Sequence, residues 1–330
     1  MNSALKTEKK SEIGAYVFLL LTAIIWGGSW PLGRWLVSED VGGETIPAMM
    51  IASIRYFIVL LCFLFILRWH EGSINLEFAK QHWKMFTFMG IISVTIYQAG
   101  YLVGEYYTAA SDASVIVSSH PILVMIFATI VLKMEDLNPQ RIIGTLLSFI
   151  GVLIVFGFSP NVDVPNRLLG DILILIASFC YSLYIALSKY FFIECKKGTF
   201  QPSSLYINSW VSFFGFLTTY PVALLRNPEY LNPILYFQVP DRVWIGIAYL
   251  AFLSTIIGYW LYLEGVKRLS ASRAAIFQNL VPIVGVTSSA ILLGEKIDLL
   301  IHGLSLLLII LGITLVNYSQ SSKGELKISS

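Results

Sequence analysis

The chain has 330 residues, of which 56% are apolar and 13% are charged, and its net charge is +2. An ordinary soluble domain has about 45–50% apolar and about 25% charged residues, so this chain has too little polar surface to face water. The composition excludes a soluble enzyme and a disulfide-stabilised secreted domain, and the near-zero charge excludes nucleic acid as a partner. It favours a protein immersed in membrane lipid.

The first 13 residues are polar and basic, and we expect them to form a cytoplasmic tail. The apolar run that follows continues past 20 residues without a small-residue cleavage site, so it is not a cleavable signal. A membrane-spanning helix needs about 20 mainly apolar residues. The sequence therefore predicts an all-α polytopic membrane protein with ten transmembrane helices. The predicted spans are 14–37, 46–68, 84–105, 111–132, 140–158, 169–191, 204–225, 243–265, 272–293 and 299–318.

Ten spans place both termini on one side of the membrane, and the positions of Lys and Arg identify that side. If the N-terminus is cytoplasmic, sixteen of the 22 Lys and Arg residues lie on cytoplasmic segments, five lie on outer segments and Arg55 lies inside a span. This bias predicts a multi-pass protein of the cell membrane with cytoplasmic N- and C-termini. The sixteen are Lys6, Lys9, Lys10, Arg68, Lys80, Lys84, Lys133, Arg141, Lys189, Lys196, Lys197, Lys267, Arg268, Arg273, Lys323 and Lys327.

The second half of the sequence repeats the first at offsets of 155 to 161 residues. The matched pairs are Trp26 with Tyr181, Arg34 with Lys189, Pro47 with Pro202, Gly104 with Gly265, Ala110 with Ala271, and Pro121 with Pro282. Each half has five spans, an odd number, so the second half must cross the membrane in the inverted orientation. Inverted repeats are typical of secondary transporters that bind substrate near the midplane between the halves. The predicted units are a tail (1–13), a first five-helix repeat (14–158), a linker (159–168), a second five-helix repeat (169–318) and a cytoplasmic C-terminal tail (319–330).

These features resemble the EamA family of the drug/metabolite transporter superfamily. The resemblance is seen in residues 26–29 (WGGS), 110–151 and 270–312, where small residues, a proline and a glutamate recur in the same order. It covers about residues 14–318 and departs from the family at Met134, where a glycine or another small residue usually precedes the glutamate. The resemblance implies alternating access and a small-molecule substrate, with amino acids or related metabolites as the leading class and export as the direction.

The sequence contains no phosphate-binding loop and no HExxH, GxSxG or CxxC motif, and no Asp or Glu lies near the middle of a span. It therefore predicts neither an enzyme nor a bound cofactor or metal. The alternative to a transporter is a membrane receptor or an assembly subunit that has a ligand pocket but no transport cycle. The sequence leaves open whether transport is facilitated or coupled to protons, and whether the protein forms a homodimer.

Aromatic residues recur at helical spacing within four of the predicted spans. A Tyr hydroxyl inside a span needs a partner that lipid cannot provide, so these faces are expected to point into the bundle. Such a surface suits a flat or zwitterionic organic molecule, and helix packing is the other interpretation. Tyr262, near the inner end of its span, also fits an interfacial position. The predicted substrate-binding residues are Trp30, Tyr97, Tyr101, Ser118, His120, Tyr181, Tyr184, Tyr259 and Asn279.

Two ionisable side chains lie deep inside spans, away from their ends, where they are costly and suggest a function. Arg55 is ten residues into the second span, and it is predicted either to pair with a substrate carboxylate or to clamp a helix end. His120 is near the middle of the fourth span and can bind a proton or the polar end of a substrate. The structural alternative for His120 is a neutral ring bonded to the carbonyl of Val117, which Pro121 leaves without its usual helical partner.

Pro121 and Pro282 occupy equivalent positions in the fourth and ninth spans, and both are predicted hinges of a transport cycle. A proline inside a helix removes one backbone hydrogen bond and weakens the helix at that depth. Broken helices at matching positions of two repeats are a pointer to a transport site. A purely structural kink is the alternative. Glu135 and Glu295 follow these two helices, and we expect them to be interfacial hairpin residues.

Overall fold

The computed structural model describes residues 2–39, 47–71, 74–134, 139–158, 164, 166–196, 198, 200–232, 234–269, 274 and 276–326. Every regular element in these ranges is helical, which confirms the all-α fold class. The predicted linker lies largely outside the described residues, as do Glu135 and Arg273.

Each of the ten predicted runs overlaps one long helix. The helices are α1 (Asn2–Val37), α2 (Ala48–Glu71), α3 (Trp83–Tyr107), α4 (Ala110–Val131), α5 (Pro139–Phe158), α6 (Arg167–Cys195), α7 (Ser204–Arg226), α8 (Asp241–Arg268), α9 (Leu280–Leu293) and α10 (Leu299–Leu326). Short helices at Leu76–Gln81 and Ile234–Phe237 precede α3 and α8. The first and last long helices continue into the predicted tails, as far as Asn2 and Leu326.

Six helices in the described part of the chain are long and apolar enough to cross a membrane: α1, α2, α3, α4, α6 and α8. The most enclosed is α4, in which 78% of an 18-residue apolar stretch is buried, compared with 39% for α1. The side chains that the helices leave exposed include Leu20 and Ile24 of α1 and Phe57 and Leu61 of α2. Such apolar outer faces fit lipid. Three of the other helices contain shorter apolar stretches in the described residues, at Ile142–Gly151, Leu280–Leu293 and Leu299–Gly312, so the count of ten spans stays a prediction.

The packing of the helices repeats when the two halves are exchanged. In the first half, α1 packs against α8 and α9; in the second, its equivalent α6 packs against α3 and α4. Likewise α2 contacts α7 and α8, whereas its equivalent α7 contacts α2 and α3. α5 packs against its own equivalent α10, and α4 packs against its own equivalent α9, so exchanging the halves leaves these two pairs unchanged. This two-repeat architecture brings the enclosed helix α4 against α9 at the junction of the halves.

Small residues allow α5 and α10 to pack closely. The Ser305 hydroxyl donates to the Gly151 carbonyl at 2.6 Å, and the Ser148 hydroxyl donates to the Ile309 carbonyl at 3.1 Å. A Cβ atom on Gly151 would lie 2.7 Å from the backbone carbonyl oxygen of Ser305, which is too close for a side chain. Gly312 is equally enclosed, against Ser148. Glycine at these two positions is therefore a packing requirement.

Local sequence signals set the ends of several helices. The Asn166 side chain accepts from the Leu169 amide at the start of α6, and the Ser203 hydroxyl accepts from the Tyr206 amide at the start of α7. Both are N-caps of the kind that Asn and Ser commonly form. Gly294 ends α9 with φ of +66°, a conformation that glycine adopts without strain. The turn after it directs Glu295 back toward the start of α4.

Candidate functional site

A cavity lies where α1, α2, α3, α4, α6 and α8 converge with the start of α9. The cavity is small, with a free volume of about 30 Å³. Its wall combines aromatic rings, hydroxyl groups and a guanidinium, and both repeats contribute to it. The lining residues are Trp26, Ser29, Trp30, Arg55, Tyr97, Tyr101, Val117, His120, Tyr181, Ser254, Tyr259, Gln278 and Val281.

Aromatic rings in direct contact form the centre of this cavity. The Trp26 ring lies 5.7 Å from that of Tyr181 and 5.6 Å from that of Tyr259, both edge to face. The Tyr97 and Tyr181 rings are 5.0 Å apart. Trp26 is held in place because its indole nitrogen donates to the Ser254 carbonyl at 2.9 Å. Since the rings already touch, this is a contracted form of the cavity, and the rings must separate to admit an organic molecule between them.

His120 meets Gln278 across the junction of the repeats. The imidazole is 2% exposed, and its Nδ1 lies 3.0 Å from the side-chain oxygen of Gln278. Because an amide oxygen only accepts hydrogen bonds, Nδ1 is the donor and Nε2 of the neutral ring is an acceptor. In the described part of the chain, Nε2 of His120, the side-chain nitrogen of Gln278 and the hydroxyl of Tyr181 have no protein partner. These atoms are available to a ligand or to water.

Arg55 lies in the cavity wall and is 2% exposed. Its Nε donates to the Thr255 hydroxyl at 2.7 Å and Nη1 donates to the side-chain oxygen of Gln98 at 3.2 Å. A longer contact of 3.4 Å joins Nη2 to the Ser254 hydroxyl. All three partners are neutral side chains from α3 and α8.

The helices are irregular at the depth of the cavity. A 3₁₀ turn at Val117–Ser119 comes directly before the helical segment that contains Pro121, and one at Ile276–Asn279 precedes Pro282 in the same way. The Val117 carbonyl, deprived of its usual partner by Pro121, instead accepts from the His120 amide. The imidazole of His120 does not bond the Val117 carbonyl, as the structural alternative expected, but contacts Gln278 instead.

π-helical segments also occur in the two helices beside the cavity, at Ile91–Ile96 and Ala99–Val103 in α3 and at Tyr249–Ile257 in α8. Ile91–Ile96 and the segment of α8 lie at equivalent positions of the two repeats. In the segment of α8, the Thr255 hydroxyl donates to the Leu250 carbonyl at 2.8 Å, which orients Thr255 toward Arg55. Segments of this kind are frequent at functional sites because they re-aim side chains.

The structure brings together most of the predicted site residues but separates some of them. Trp30, Tyr97, Tyr101, His120, Tyr181 and Tyr259 all line the cavity. Tyr184 does not, because its hydroxyl donates to Asn208 at 3.1 Å behind Tyr181. Ser118 is buried outside the lining, and the side chain of Asn279 lies outside the described residues. Tyr262 is buried against Trp26 at 5.1 Å, so it is not an interfacial residue.

Sequence reasoning did not place Ser29, Ser254, Gln278 and Val281 in the site. The helical spacing that marked Trp26 and Trp30 could have included Ser29, since it lies three residues after Trp26. Gln278 is adjacent to the predicted Asn279, and a one-residue difference selects a different helix face. Ser254 had no signal, because Ser is common in membrane helices.

One end of the bundle is closed by Arg34, which is fully buried. Its guanidinium donates to the carbonyls of Glu105 and Thr108 at the end of α3, and its Nε lies 3.3 Å from the Glu295 carboxylate. Glu295 also accepts from the amides of Ala110 and the next residue, both at 2.9 Å, so it caps α4. The predicted interfacial hairpin residue is therefore a buried connection between the repeats.

The opposite end is closed by Lys189, the repeat equivalent of Arg34. Its ammonium group donates to the carbonyls of Val266 at 3.0 Å and Leu269 at 2.6 Å, at the end of α8. These two residues follow Glu105 and Thr108 by 161 positions. Each repeat thus uses a cation of its first helix to cap the end of its own third helix, where a positive charge is favoured by the helix dipole. No cluster of three or more potential metal ligands occurs among the described residues.

The helical fold, the two repeats and the enclosed polar cavity define a polytopic membrane protein of the transporter class. The sequence profile of the EamA-like transporter family matches residues 13–157 and 168–318. The chain belongs to this family, which confirms the resemblance found in the sequence.

Similar proteins agree with this assignment. The uncharacterized transporters YyaM and YetK of Bacillus subtilis (strain 168) are 28% and 26% identical to it, over 83% and 92% of this chain and 84% and 87% of theirs. A probable amino-acid metabolite efflux pump of Escherichia coli (strain K12) is 22% identical, over 85% of this chain and 87% of its own. One crystal structure matches 93% of this chain and 96% of its own, with a TM-score of 0.60 at 16% identity, and so shares the fold.

Proposed function

We propose that this protein is a secondary transporter that moves a small organic metabolite across the cell membrane by alternating access. One observation supports the proposal above all. Buried polar atoms on His120, Tyr181 and Gln278, which have no hydrogen-bond partner among the described residues, converge on one cavity at the junction of the two repeats. Such atoms cost free energy unless a ligand or water binds them, and in a transporter the substrate does so during each cycle.

The leading substrate class is an amino acid or a related metabolite, and export is the proposed direction. The aromatic faces of Trp26, Tyr97 and Tyr181 suit an apolar or flat body, while Arg55 and His120 offer polar contacts of different kinds. The lone pair at Nε2 of His120 suits an ammonium or another donor, whereas a substrate carboxylate would meet no proton there. The name of the Escherichia coli relative supports both the substrate class and efflux.

Transport by the purified protein in liposomes tests this proposal directly. Vesicles loaded with a radiolabelled panel of the twenty amino acids, nucleobases and short organic acids should release at least one compound faster than protein-free vesicles. A matched liposome with the variant Gly312→Val, which we expect to be poorly packed, controls for leakage caused by protein insertion alone. Absence of flux for every compound would contradict the transporter proposal.

A receptor or an assembly subunit would have the same cavity but no transport cycle. The two experiments that separate these functions are binding and flux. If a panel compound binds the cavity but never crosses the membrane, the receptor alternative is favoured. The equivalent 3₁₀ turns before Pro121 and Pro282 favour a transporter, because both repeats then have a broken helix beside the site.

A further inference from the structure

We propose that Arg55 binds a carboxylate group of the substrate. The carboxylate would bind in the cavity described above. Its binding does not depend on the proposed function, but its transport does. Its basis is a guanidinium that is 2% exposed, faces the cavity and contacts only neutral groups.

Among the described residues, no anionic group makes direct contact with this buried charge. A guanidinium removed from water needs an anion or a full set of acceptors to offset its lost hydration. The partners of Arg55 are the hydroxyls of Thr255 and Ser254 and the amide of Gln98, none of which carries a negative charge. Its other contact is with the Tyr56 ring, 5.7 Å from the guanidinium carbon. A ligand that brings a negative charge would therefore be favoured over a neutral one.

The guanidinium also has N–H groups left to donate. Arginine has five such groups, one on Nε and two on each terminal nitrogen. The three hydrogen bonds use one on each nitrogen, so one N–H remains on Nη1 and one on Nη2. Two parallel N–H groups on the terminal nitrogens match the two oxygens of a carboxylate, which is the pairing that arginine forms most readily.

Comparison with the two cations at the ends of the bundle argues against a structural clamp. Arg34 and Lys189 donate to backbone carbonyls at the ends of helices, which is what a clamp does. In the described part of the chain, Arg55 donates to side chains in the middle of helices and to no backbone carbonyl. Its partners are themselves held in place, since Thr255 donates to the Leu250 carbonyl and Gln98 donates to the Tyr56 hydroxyl at 3.3 Å. The guanidinium is thus positioned before a ligand arrives, as in a binding site.

Matched ligand pairs that differ only in charge test the proposal. The probes are indole-3-acetate with indole-3-acetamide, L-phenylalanine with L-phenylalaninamide, and L-alanine with L-alaninamide. Binding to the purified protein in lipid nanodiscs is followed by thermal unfolding and, for the phenylalanine and alanine pairs, by tryptophan fluorescence, to which Trp26 and Trp30 in the cavity wall contribute. At least one carboxylate should bind about tenfold or more tightly than its amide, as a charge-assisted pair requires.

Variants of Arg55 assign that preference to the guanidinium. Arg55→Gln should abolish the preference for carboxylates, Arg55→Lys should keep part of it, and Arg242→Gln, at an exposed position, should leave it unchanged. Without ligand, Arg55→Gln should unfold at the wild-type temperature or above it, because an uncompensated buried charge has been removed.

Several results would overturn the proposal. In the binding assay, these results are equal affinity for carboxylates and amides, binding of no carboxylate in the panel, and full competition by chloride or inorganic phosphate. In Arg55→Gln, they are a carboxylate preference that survives and an unfolding temperature without ligand below that of the wild type, which a structural clamp predicts.

Flux is measured separately on the same compounds. Transport of neutral compounds without carboxylate preference would leave the proposed function intact, whereas carboxylate binding without any flux would remove the transporter function alone.

Discussion

Tyr181 and Tyr184 lie three residues apart on α6, but only Tyr181 lines the cavity. The Tyr181 hydroxyl has no hydrogen-bond partner among the described residues, whereas that of Tyr184 donates to Asn208. We predict that Tyr181→Phe weakens substrate binding by about fivefold or more, because a hydrogen bond to the ligand contributes ~1 kcal/mol or more in a buried site. Tyr184→Phe is the matched control, and it should lower stability slightly and leave affinity unchanged. Equal affinity in the two variants, measured by binding or half-saturation of flux, would contradict this assignment.

His120 permits a test that separates a substrate contact from a proton carrier. His120→Gln keeps a neutral donor and acceptor and should retain partial transport. His120→Leu removes both and leaves Gln278 without its partner, so binding should weaken by about 1–3 kcal/mol, or roughly tenfold or more. Flux measured between pH 5 and about pH 8 distinguishes the roles, since histidine changes its charge in that range. If the Gln variant loses only the pH dependence, His120 is a proton carrier; wild-type flux and affinity in His120→Leu would exclude both roles.

At the residue scale, the sequence predicts which side chains need partners but not which partners they find. The depth of Arg55 and His120 within apolar runs was enough to single them out. The contacts of Arg55 with Gln98 and Thr255 could not be predicted, because they depend on how α2, α3 and α8 rotate against one another. A difference of one residue, as between Gln278 and Asn279, turns a side chain by about 100° around a helix.

The two broken helices allow a prediction about movement. Pro121→Ala and Pro282→Ala each restore a backbone donor and a continuous helix, so we expect slower transport with little loss of folded protein. The measurement is flux in liposomes together with the unfolding temperature in detergent. The control is Pro221→Ala, which lies inside α7 and does not line the cavity. Normal flux in both α4 and α9 variants would show that the prolines are structural kinks.

The contact between α5 and α10 allows a prediction about stability. A side chain at Gly312 would collide with Ser148 and with the backbone of α5, whereas Gly303 on the same helix has no atom within 4 Å of an added Cβ. We predict that Gly312→Val lowers the free energy of unfolding by about 1–3 kcal/mol, as overpacking does, and that Gly303→Val has almost no effect. Denaturation of both variants in the same detergent checks this. Equal stability would mean that the helices separate without cost.

At the element scale, apolar run length predicted the helices well because lipid requires about 20 apolar residues for each crossing. The 3₁₀ turns before the two prolines were foreseeable from the loss of a backbone donor. The π-helical segments at Ile91–Ile96 and Tyr249–Ile257 were not, because they contain no proline that would signal an irregular helix.

Considered as a whole, the molecule contains two equivalent closures at opposite ends. Arg34 holds the end of α3, and Lys189 holds the end of α8, through carbonyls at matching positions. The predicted orientation assigns the Arg34 end to the outside and the Lys189 end to the cytoplasm. Alternating access requires that each closure can open while the other stays shut. The matching positions of Arg34 and Lys189 suit this exchange, because the contacts at one end have equivalents at the other.

Labelling of a cavity cysteine from each side tests both the closures and the orientation. On a background in which Cys62, Cys180 and Cys195 are replaced by serine, Ser29→Cys places a thiol in the cavity wall. Adding Arg34→Gln should raise its reaction with an impermeant thiol reagent applied outside, because the outer closure loses its charged contacts, and adding Lys189→Gln should raise reaction from the cytoplasmic side. Gln238→Cys and Gln81→Cys, both exposed, are the references for the outer and the inner side. Reaction of these two references from the reverse sides would invert the orientation, whereas unchanged labelling of Ser29→Cys in both variants would show that neither cation closes the cavity.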